Sequence, residues 1–219
     1  MQNKFYKSWI FWLFIVFGAI YAITSCFDIP IILNDLSLGI VSASIFYFIT
    51  VYIPAQQKRK LIKRHLTVSY HNMKHNILQN IIWAAGIDGN YSILASYGDI
   101  EQMLDYAEFR KRFENNDNWG SFLSGLDKRS DILKDILTEF EKFSEELSFV
   151  LLLYQCNDKQ YRAIRNWQNA IVDMKNADYE TFADNIKPLS RALWEMYTAW
   201  SFIGGQHDSD AVQSFINRL

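Results

Sequence analysis

The sequence predicts an all-α protein in which an N-terminal two-helix transmembrane hairpin is followed by a cytoplasmic helical domain. Two uncharged, largely apolar runs cover residues 8–27 and 36–57, and each is about as long as the roughly 30 Å hydrocarbon core of a bilayer. Beyond Pro54, apolar residues recur at steps of three and four, which is typical of amphipathic helices. No segment there shows the alternation of a strand.

These patterns predict three regions. We expect a transmembrane hairpin at residues 1–57 with spans at about 8–27 and 36–54, a basic juxtamembrane helix at 58–87, and an acidic helical cytoplasmic domain at 88–219.

The charges beside the two spans predict their orientation. Lys4 and Lys7 precede the first span, and a basic run follows the second: Lys58, Arg59, Lys60, Lys63 and Arg64. The connector, residues 28–35, contains two acids and no basic residue. Under the positive-inside bias both termini are cytoplasmic and the connector is outside. A cleaved signal peptide is the alternative for the first run, but the run is too long and too aromatic, and a second span follows directly.

The composition of the spans also restricts what they do. Neither contains an ionisable residue, which argues against an ion or proton pathway within one copy. Gly39 and Ala43 are four residues apart, the spacing of small residues that lets two helices approach closely. That contact is either within the hairpin or between copies in a homo-oligomer.

The charge balance changes sharply after the second span. Residues 58–87 hold six Lys or Arg and no acid, whereas residues 88–219 hold 22 acids and 14 Lys or Arg. The basic run is expected to set topology and to dock on an anionic leaflet. A nucleic-acid contact is the alternative. We expect the second span to continue into the basic helix, with a kink at Pro54.

Amphipathic spacing places the remaining helices. The basic helix is predicted to stop near Gly86, and further helices are predicted at residues 96–115, from Ser130, and at 159–176, 179–203 and 209–218. Residues 115–125, rich in Asn, Gly and Ser, are predicted to be a break. The helix from Ser130 carries an apolar seam: Ile132, Ile136, Phe140, Phe143, Leu147, Val150 and Tyr154. Five Trp residues lie in the soluble part, and a core position is expected for them, with an exposed subset forming a protein interface as the alternative: Trp83, Trp119, Trp167, Trp194 and Trp200.

The sequence contains few candidates for catalytic or metal-binding residues. His71 and His75 have the spacing of a helical zinc pair, but no third ligand is near in the sequence, so a polar helix face is expected. His207 and Asp208 form one polar cluster on a predicted loop. No nucleophile elbow, phosphate loop or zinc-protease motif occurs. The sequence therefore predicts no catalytic, cofactor or metal residue and no small-molecule substrate.

A resemblance adds a functional expectation. The short two-span hairpin, the exit sequence FYFITVYIPAQQKRKLIKRHL (residues 46–66) and the acidic helical domain resemble the membrane effector of bacterial retron antiphage systems. The resemblance covers mainly residues 1–85. It implies a toxic protein of the bacterial inner membrane that acts in abortive infection, held silent in a system with a reverse transcriptase and its RNA–DNA hybrid.

Two other classes of function stay open. A membrane-tethered adaptor would use the hairpin only as an anchor, with the helical domain binding proteins. An enzyme would need a site assembled from residues distant in sequence, with His71, His75, His207 and Asp208 as its candidates.

Overall fold

The computed structural model of the chain describes residues 9–26, 31–87, 97–114, 117–153, 158–177, 182–201 and 204–218. These form two compact units, Met1–Leu61 and Ile62–Leu219. Both are mostly helical, which confirms the predicted all-α class.

The first unit contains two apolar helices that pack against each other. They are α1 (Trp9–Cys26) and α2 (Ile31–Tyr47), and a π-helical turn (Phe48–Tyr52) and the start of α3 (Ile53–Ile87) follow. Asp35, predicted in the connector, lies instead within α2 and is exposed. Helix α2 starts early because three apolar residues follow Pro30, and proline favours the first turn of a helix. Residues 27–30 of the predicted connector lie outside the described residues.

The helix continues through the position where a kink was expected. The π-helical turn joins α2 to α3 without a break, and the backbone N–H of Ile53 donates to the carbonyl of Phe48. Pro54, which has no N–H, sits directly after this turn. A π-helical turn adds one residue to the local helix, which adjusts the backbone where the ladder of hydrogen bonds is interrupted. The predicted helical continuity from the second apolar run into the basic helix is confirmed.

The described residues of the second unit form the rest of α3, seven more helices and a small hairpin. They are α4 (Tyr97–Met103), α5 (Tyr106–Glu114), α6 (Asn118–Lys128), α7 (Ser130–Leu153), α8 (Asp158–Asn176), α9 (Phe182–Thr198), β1 (Trp200–Ser201), β2 (Gly205–Gln206) and α10 (Ala211–Arg218). The antiparallel pair of strands joins Trp200 to Gln206 and Ser201 to Gly205.

The core of this unit follows the predicted stripes. The buried face of α3 consists of Ile62, Leu66, Tyr70, Met73, Ile77 and Ile81, and the seam of α7 is buried from Ile132 to Val150. Tyr154, the last member of the predicted seam, lies outside the described residues. The Tyr70 and Phe143 rings, 5.3 Å apart, join α3 to α7. Trp119, Trp167 and Trp194 pack against this core as expected, whereas Trp83 is 54% exposed, so its predicted burial is wrong.

The helix predicted at residues 96–115 is two helices. Its chain turns at Leu104 and Asp105, and the Asp105 carboxylate accepts hydrogen bonds from the backbone N–H groups of Ala107 and Glu108 at 2.9 and 3.2 Å. Asp105 is therefore the N-cap of α5. With Glu108 three residues later, the sequence contains a capping signature that apolar spacing alone did not reveal.

The predicted break at residues 115–125 is wrong from Asn118 onward, where α6 begins. Phe122 and Leu126 are buried on its inner face, and the Asn118 side chain donates to the carbonyl of Arg112 at 2.6 Å. Asn, Gly and Ser favour turns locally, but packing of this apolar stripe decides the local structure.

Helix α9 differs from its prediction at its C-terminal end. It continues through Pro188, although a proline inside a helix removes one backbone hydrogen bond, and it ends at Thr198 rather than near Ile203. The chain leaves the helix at Ala199, whose φ of 51° is in the left-handed region. Gly205, with φ 72°, lies in the hairpin that follows.

Gly125 marks a close approach of two helices and provides a test of this packing. A Cβ at Gly125 would lie 1.9 Å from the carbonyl oxygen of Ala84 in α3, whereas a Cβ at Gly86 would meet no atom within 4 Å. We expect Gly125→Ala to lower the free energy of unfolding by about 2–3 kcal/mol or more, because α6 must move away from α3.

Gly86→Ala is the matched control and should change stability by less than about 1 kcal/mol, in the stabilising direction. Denaturant unfolding of the detergent-solubilised full chain measures both variants. Equal stability of the two would contradict the close approach of α6 to α3.

Candidate functional site

The first unit exposes its apolar side chains. None of its described side chains is buried, and large apolar residues lie open along both helices and the π-helical turn: Ile15, Val16, Ile20, Tyr21, Ile23, Leu36, Leu38, Ile45, Phe46, Tyr47, Ile49 and Val51. A helix of a water-soluble domain turns its apolar stripe into a core. Here the apolar surface surrounds the helices, so an apolar medium or partner must cover it.

One helix of this region meets the requirements of a membrane span. In the described part of the chain, the continuous helix Leu38–Ile87 contains an 18-residue window with a mean hydropathy of 1.8, and none of that window is buried. By length and composition it can cross a membrane. Helix α1, with 18 residues, carries no charged residue.

The two small residues singled out in the second span are open. Gly39 and Ala43 are both exposed, and a Cβ at Gly39 would meet no atom within 4 Å. The contact between α1 and α2 therefore does not use Gly39 as a point of close approach. Packing between copies through these residues remains a prediction.

The residues of the basic run differ in their exposure to solvent. Lys58, Arg59, Lys60 and Arg64 are exposed, as a surface that meets phosphates requires. Lys63 instead donates to the backbone carbonyl of Asn217, at the C-terminal end of α10, at 2.6 Å. The sixth basic residue of segment 58–87, Lys74, is buried.

Lys74 lies at the centre of a buried polar cluster that the sequence did not reveal. Its Nζ donates to the carbonyl of Met196 at 2.9 Å and lies 3.7 Å from Oδ2 of Asp210. Three tyrosine rings surround the amine, with centroids at 4.7 Å (Tyr106), 5.1 Å (Tyr197) and 5.8 Å (Tyr70) from Nζ. Each is within the distance at which an ammonium is attracted to a ring face.

Asp210 is the anionic partner in this cluster. The Tyr70 hydroxyl donates to Oδ1 at 2.8 Å, and the Tyr106 hydroxyl donates to Oδ2 at 2.9 Å. The same carboxylate accepts the backbone N–H of Gln213 at 2.9 Å, which caps the first turn of α10. We name Tyr70, Lys74, Tyr106, Tyr197 and Asp210 the Asp210 cluster; it joins α3, α5, α9 and α10.

Burial controls protonation in the Asp210 cluster. Burial raises the pKa of the Tyr70 hydroxyl well above its ordinary value, and the Asp210 carboxylate raises it further. Burial and Asp210 likewise raise the pKa of Tyr197 and of Tyr106. Burial lowers the pKa of the Lys74 amine, and Asp210 opposes this effect. The enclosed amine has two partners, the Met196 carbonyl and the Asp210 carboxylate, which offset the cost of burying its charge.

The histidine pair gains a neighbour in the structure. Glu101, at α4, lies with Oε2 3.5 Å from Nε2 of His71 and Oε1 3.8 Å from Nε2 of His75. The sequence could not place this carboxylate because it is 26 residues from His75. Among the described residues no group of three or more His, Cys, Asp or Glu has an arrangement that could hold a metal ion.

The remaining sequence candidates do not converge on a catalytic arrangement. His207 and Asp208 are exposed after β2, and the backbone N–H of His207 donates to the carbonyl of Ala199 at 2.9 Å. Elsewhere a cavity of about 540 Å³ has Trp119, Trp194 and Trp200 in its wall. Arg110 in the same wall is paired with Glu114 at 2.7 Å.

No protein-family model matches the chain, and no curated protein or solved structure matches it. Function is therefore argued from the sites themselves.

The Asp210 cluster predicts sensitivity to alkali. An unfolded tyrosine loses its proton near pH 10, whereas the buried tyrosines hold theirs to higher pH, so their contribution to stability is full below pH 10 and is lost above it. Above pH 10, the free energy of unfolding should fall by up to about 1.4 kcal/mol per pH unit for each of these buried tyrosines. The lowered pKa of Lys74 makes stability rise with pH instead, but only below the pKa of about 10.4 that a lysine has in the unfolded chain.

Above pH 10.5, Tyr70→Phe should make the fall of the unfolding free energy with pH shallower by up to about 1.4 kcal/mol per pH unit, which corresponds to one proton. Tyr161→Phe, on an exposed residue of α8, should leave the slope unchanged. Unfolding curves at several pH values measure the slope. An unchanged slope in Tyr70→Phe would show that this hydroxyl is not buried as described.

Proposed function

We propose that the chain is a toxic effector of the bacterial inner membrane in a retron antiphage system, which damages the membrane when it is released from inhibition. In this proposal α1 and α2 are a transmembrane hairpin, both termini are cytoplasmic, and the second unit is the regulated domain. The chain performs no catalysis in this role.

The observation that carries the membrane part of the proposal is the absence of any buried side chain among the described residues of the first unit. Lipid is a medium that can cover the apolar side chains exposed along these helices. The helices satisfy their own backbone hydrogen bonds, which a bilayer demands. The exposed Lys58, Arg59, Lys60 and Arg64 then lie at the cytoplasmic surface, where each is attracted to anionic lipid.

The effector part of the proposal rests on the resemblance together with the size of the hairpin. A hairpin of only two helices, whose apolar runs 8–27 and 36–54 carry no charge, leaves no room for a water-filled pathway within one copy. Damage therefore requires several copies to associate, and the exposed Gly39 and Ala43 provide a surface for close approach between helices. The partners we propose are membrane lipids, further copies of the chain, and a reverse transcriptase with its RNA–DNA hybrid.

An adaptor is the second candidate, and one observation favours it. Trp83 is 54% exposed and lies with Ile87 in the wall of a cavity of about 320 Å³ on the second unit. An exposed Trp beside an apolar residue is typical of protein interfaces. In an adaptor this surface would carry the function and the hairpin would be a simple anchor.

The topology can be measured directly. We expect the full chain to stay in the membrane pellet after alkaline carbonate extraction. If the C-terminus is cytoplasmic, a green fluorescent protein fused to it should fluoresce and an alkaline phosphatase fused to it should be inactive. A soluble chain, or an active phosphatase, would contradict the proposed anchor and orientation.

Exchange of the hairpin separates effector from adaptor. Replacing residues 1–57 by an unrelated two-span anchor of the same orientation should abolish depolarisation by the induced chain, since the effector acts through its own spans. A voltage-sensitive dye measures the potential, and immunoblots of membranes match the amounts. The control variant is Trp83→Ala with the native hairpin, which an effector tolerates. Full activity of the exchanged chain would establish the adaptor instead.

A further inference from the structure

Helix α10 lies antiparallel to the first turns of α3 within the second unit. Two contacts define this register: Lys63 to the carbonyl of Asn217, and the Tyr70 hydroxyl to the carboxylate of Asp210. Seven residues separate the two contact points on each helix, which corresponds to about 10.5 Å of helix in both. The equal spacing shows that α10 is held at both of its ends along the same stretch of α3.

The stretch of α3 between these two contacts carries its apolar stripe, directly after the exposed basic residues. Leu66 and Tyr70 are 0% and 1% exposed, and Ile62 is also buried. Ile216, between the two contact points on α10, is fully buried in the same core, and Val212 and Phe215 pack against it. The apolar face of α10 and the stripe of α3 therefore enter the same core.

The attachment of α10 depends on few groups. An eight-residue helix is too short to be stable alone. Its first turn is held by one carboxylate, which the hydroxyls of Tyr70 and Tyr106 contact and which faces Lys74. Burying this ion pair costs free energy that the hydrogen bonds must offset. Loss of the Asp210 charge would therefore release the N-terminal end of α10.

The segment before α10 is suited to act as a hinge. Ala199 has a left-handed backbone conformation, which is unfavourable for a residue with a Cβ. Two-residue strands follow, with Gly205 at positive φ, and His207 and Asp208 are exposed. Such a short hairpin opens at little cost compared with the packed helices.

We propose that α10 is a releasable strap, which keeps the effector silent by covering the stripe Ile62–Tyr70 of α3 and frees that stripe when Asp210 leaves its cluster. The regulatory part of this inference rests on the proposed function, whereas the local opening of α10 does not.

Cysteine labelling of the full chain in native membranes tests the opening. In a background with Cys26→Ser and Cys156→Ser, Leu66→Cys reports on the covered stripe and Ile136→Cys, buried in α7, reports on the rest of the core. We expect Asp210→Asn to speed maleimide labelling at position 66 by tenfold or more and to leave position 136 unchanged. Asp208→Asn, at an exposed neighbour, is the matched control and should alter neither rate.

Two labelling results would overturn the strap. Equal acceleration at positions 66 and 136 would show general destabilisation, and no acceleration at position 66 would show that Asp210 does not hold α10.

Membrane potential tests the regulation. At equal amounts in the membrane, Asp210→Asn should depolarise cells several-fold more than the parent chain, and Asp208→Asn should match the parent. Suppose that the parent chain depolarises cells at high expression, and that Asp210→Asn opens position 66 without further depolarisation. Then the strap does not regulate, and the proposed function stands. If no variant and no level of the parent depolarises cells, the proposed function fails, and labelling alone decides whether α10 opens.

Discussion

A single buried carboxylate ties together the second unit. Asp210 faces the Lys74 amine, accepts hydrogen bonds from Tyr70 and Tyr106, and caps α10 through the N–H of Gln213. Removing either charge of such a pair leaves the other buried without a partner, which is costly. Four helices meet at this point, so their arrangement depends on the pair remaining closed.

The first unit obeys a different constraint. Its described side chains have no core to enter, and the apolar ones remain open along α1, α2 and the π-helical turn. Hydrogen bonds within each helix satisfy the backbone, which is the condition for residence in lipid. The proposed membrane role follows from this combination of open apolar surface and internally satisfied backbone. The same surface in water would aggregate.

The two candidate functions differ in which surface acts. An effector acts through the spans and needs a device that keeps it silent, whereas an adaptor acts through exposed residues such as Trp83. The strap that we propose, α10, would be such a device: it is short, it is held at two points, and the segment before it begins with Ala199 in the left-handed region. No such device is needed by a passive anchor.

The sequence by itself determined the helical class, the apolar runs, the continuation of α2 into α3 and the seam of α7, because these depend on local composition and on a repeat of three to four residues. Tertiary structure decided the rest. It made a helix of Asn118–Lys128 by burying Phe122 and Leu126, and it ended α9 at Thr198. It also brought Lys74 to Asp210, 136 residues away, which no local pattern encodes. Lys74 looked like one more charge of a basic surface because sequence shows charge but not burial.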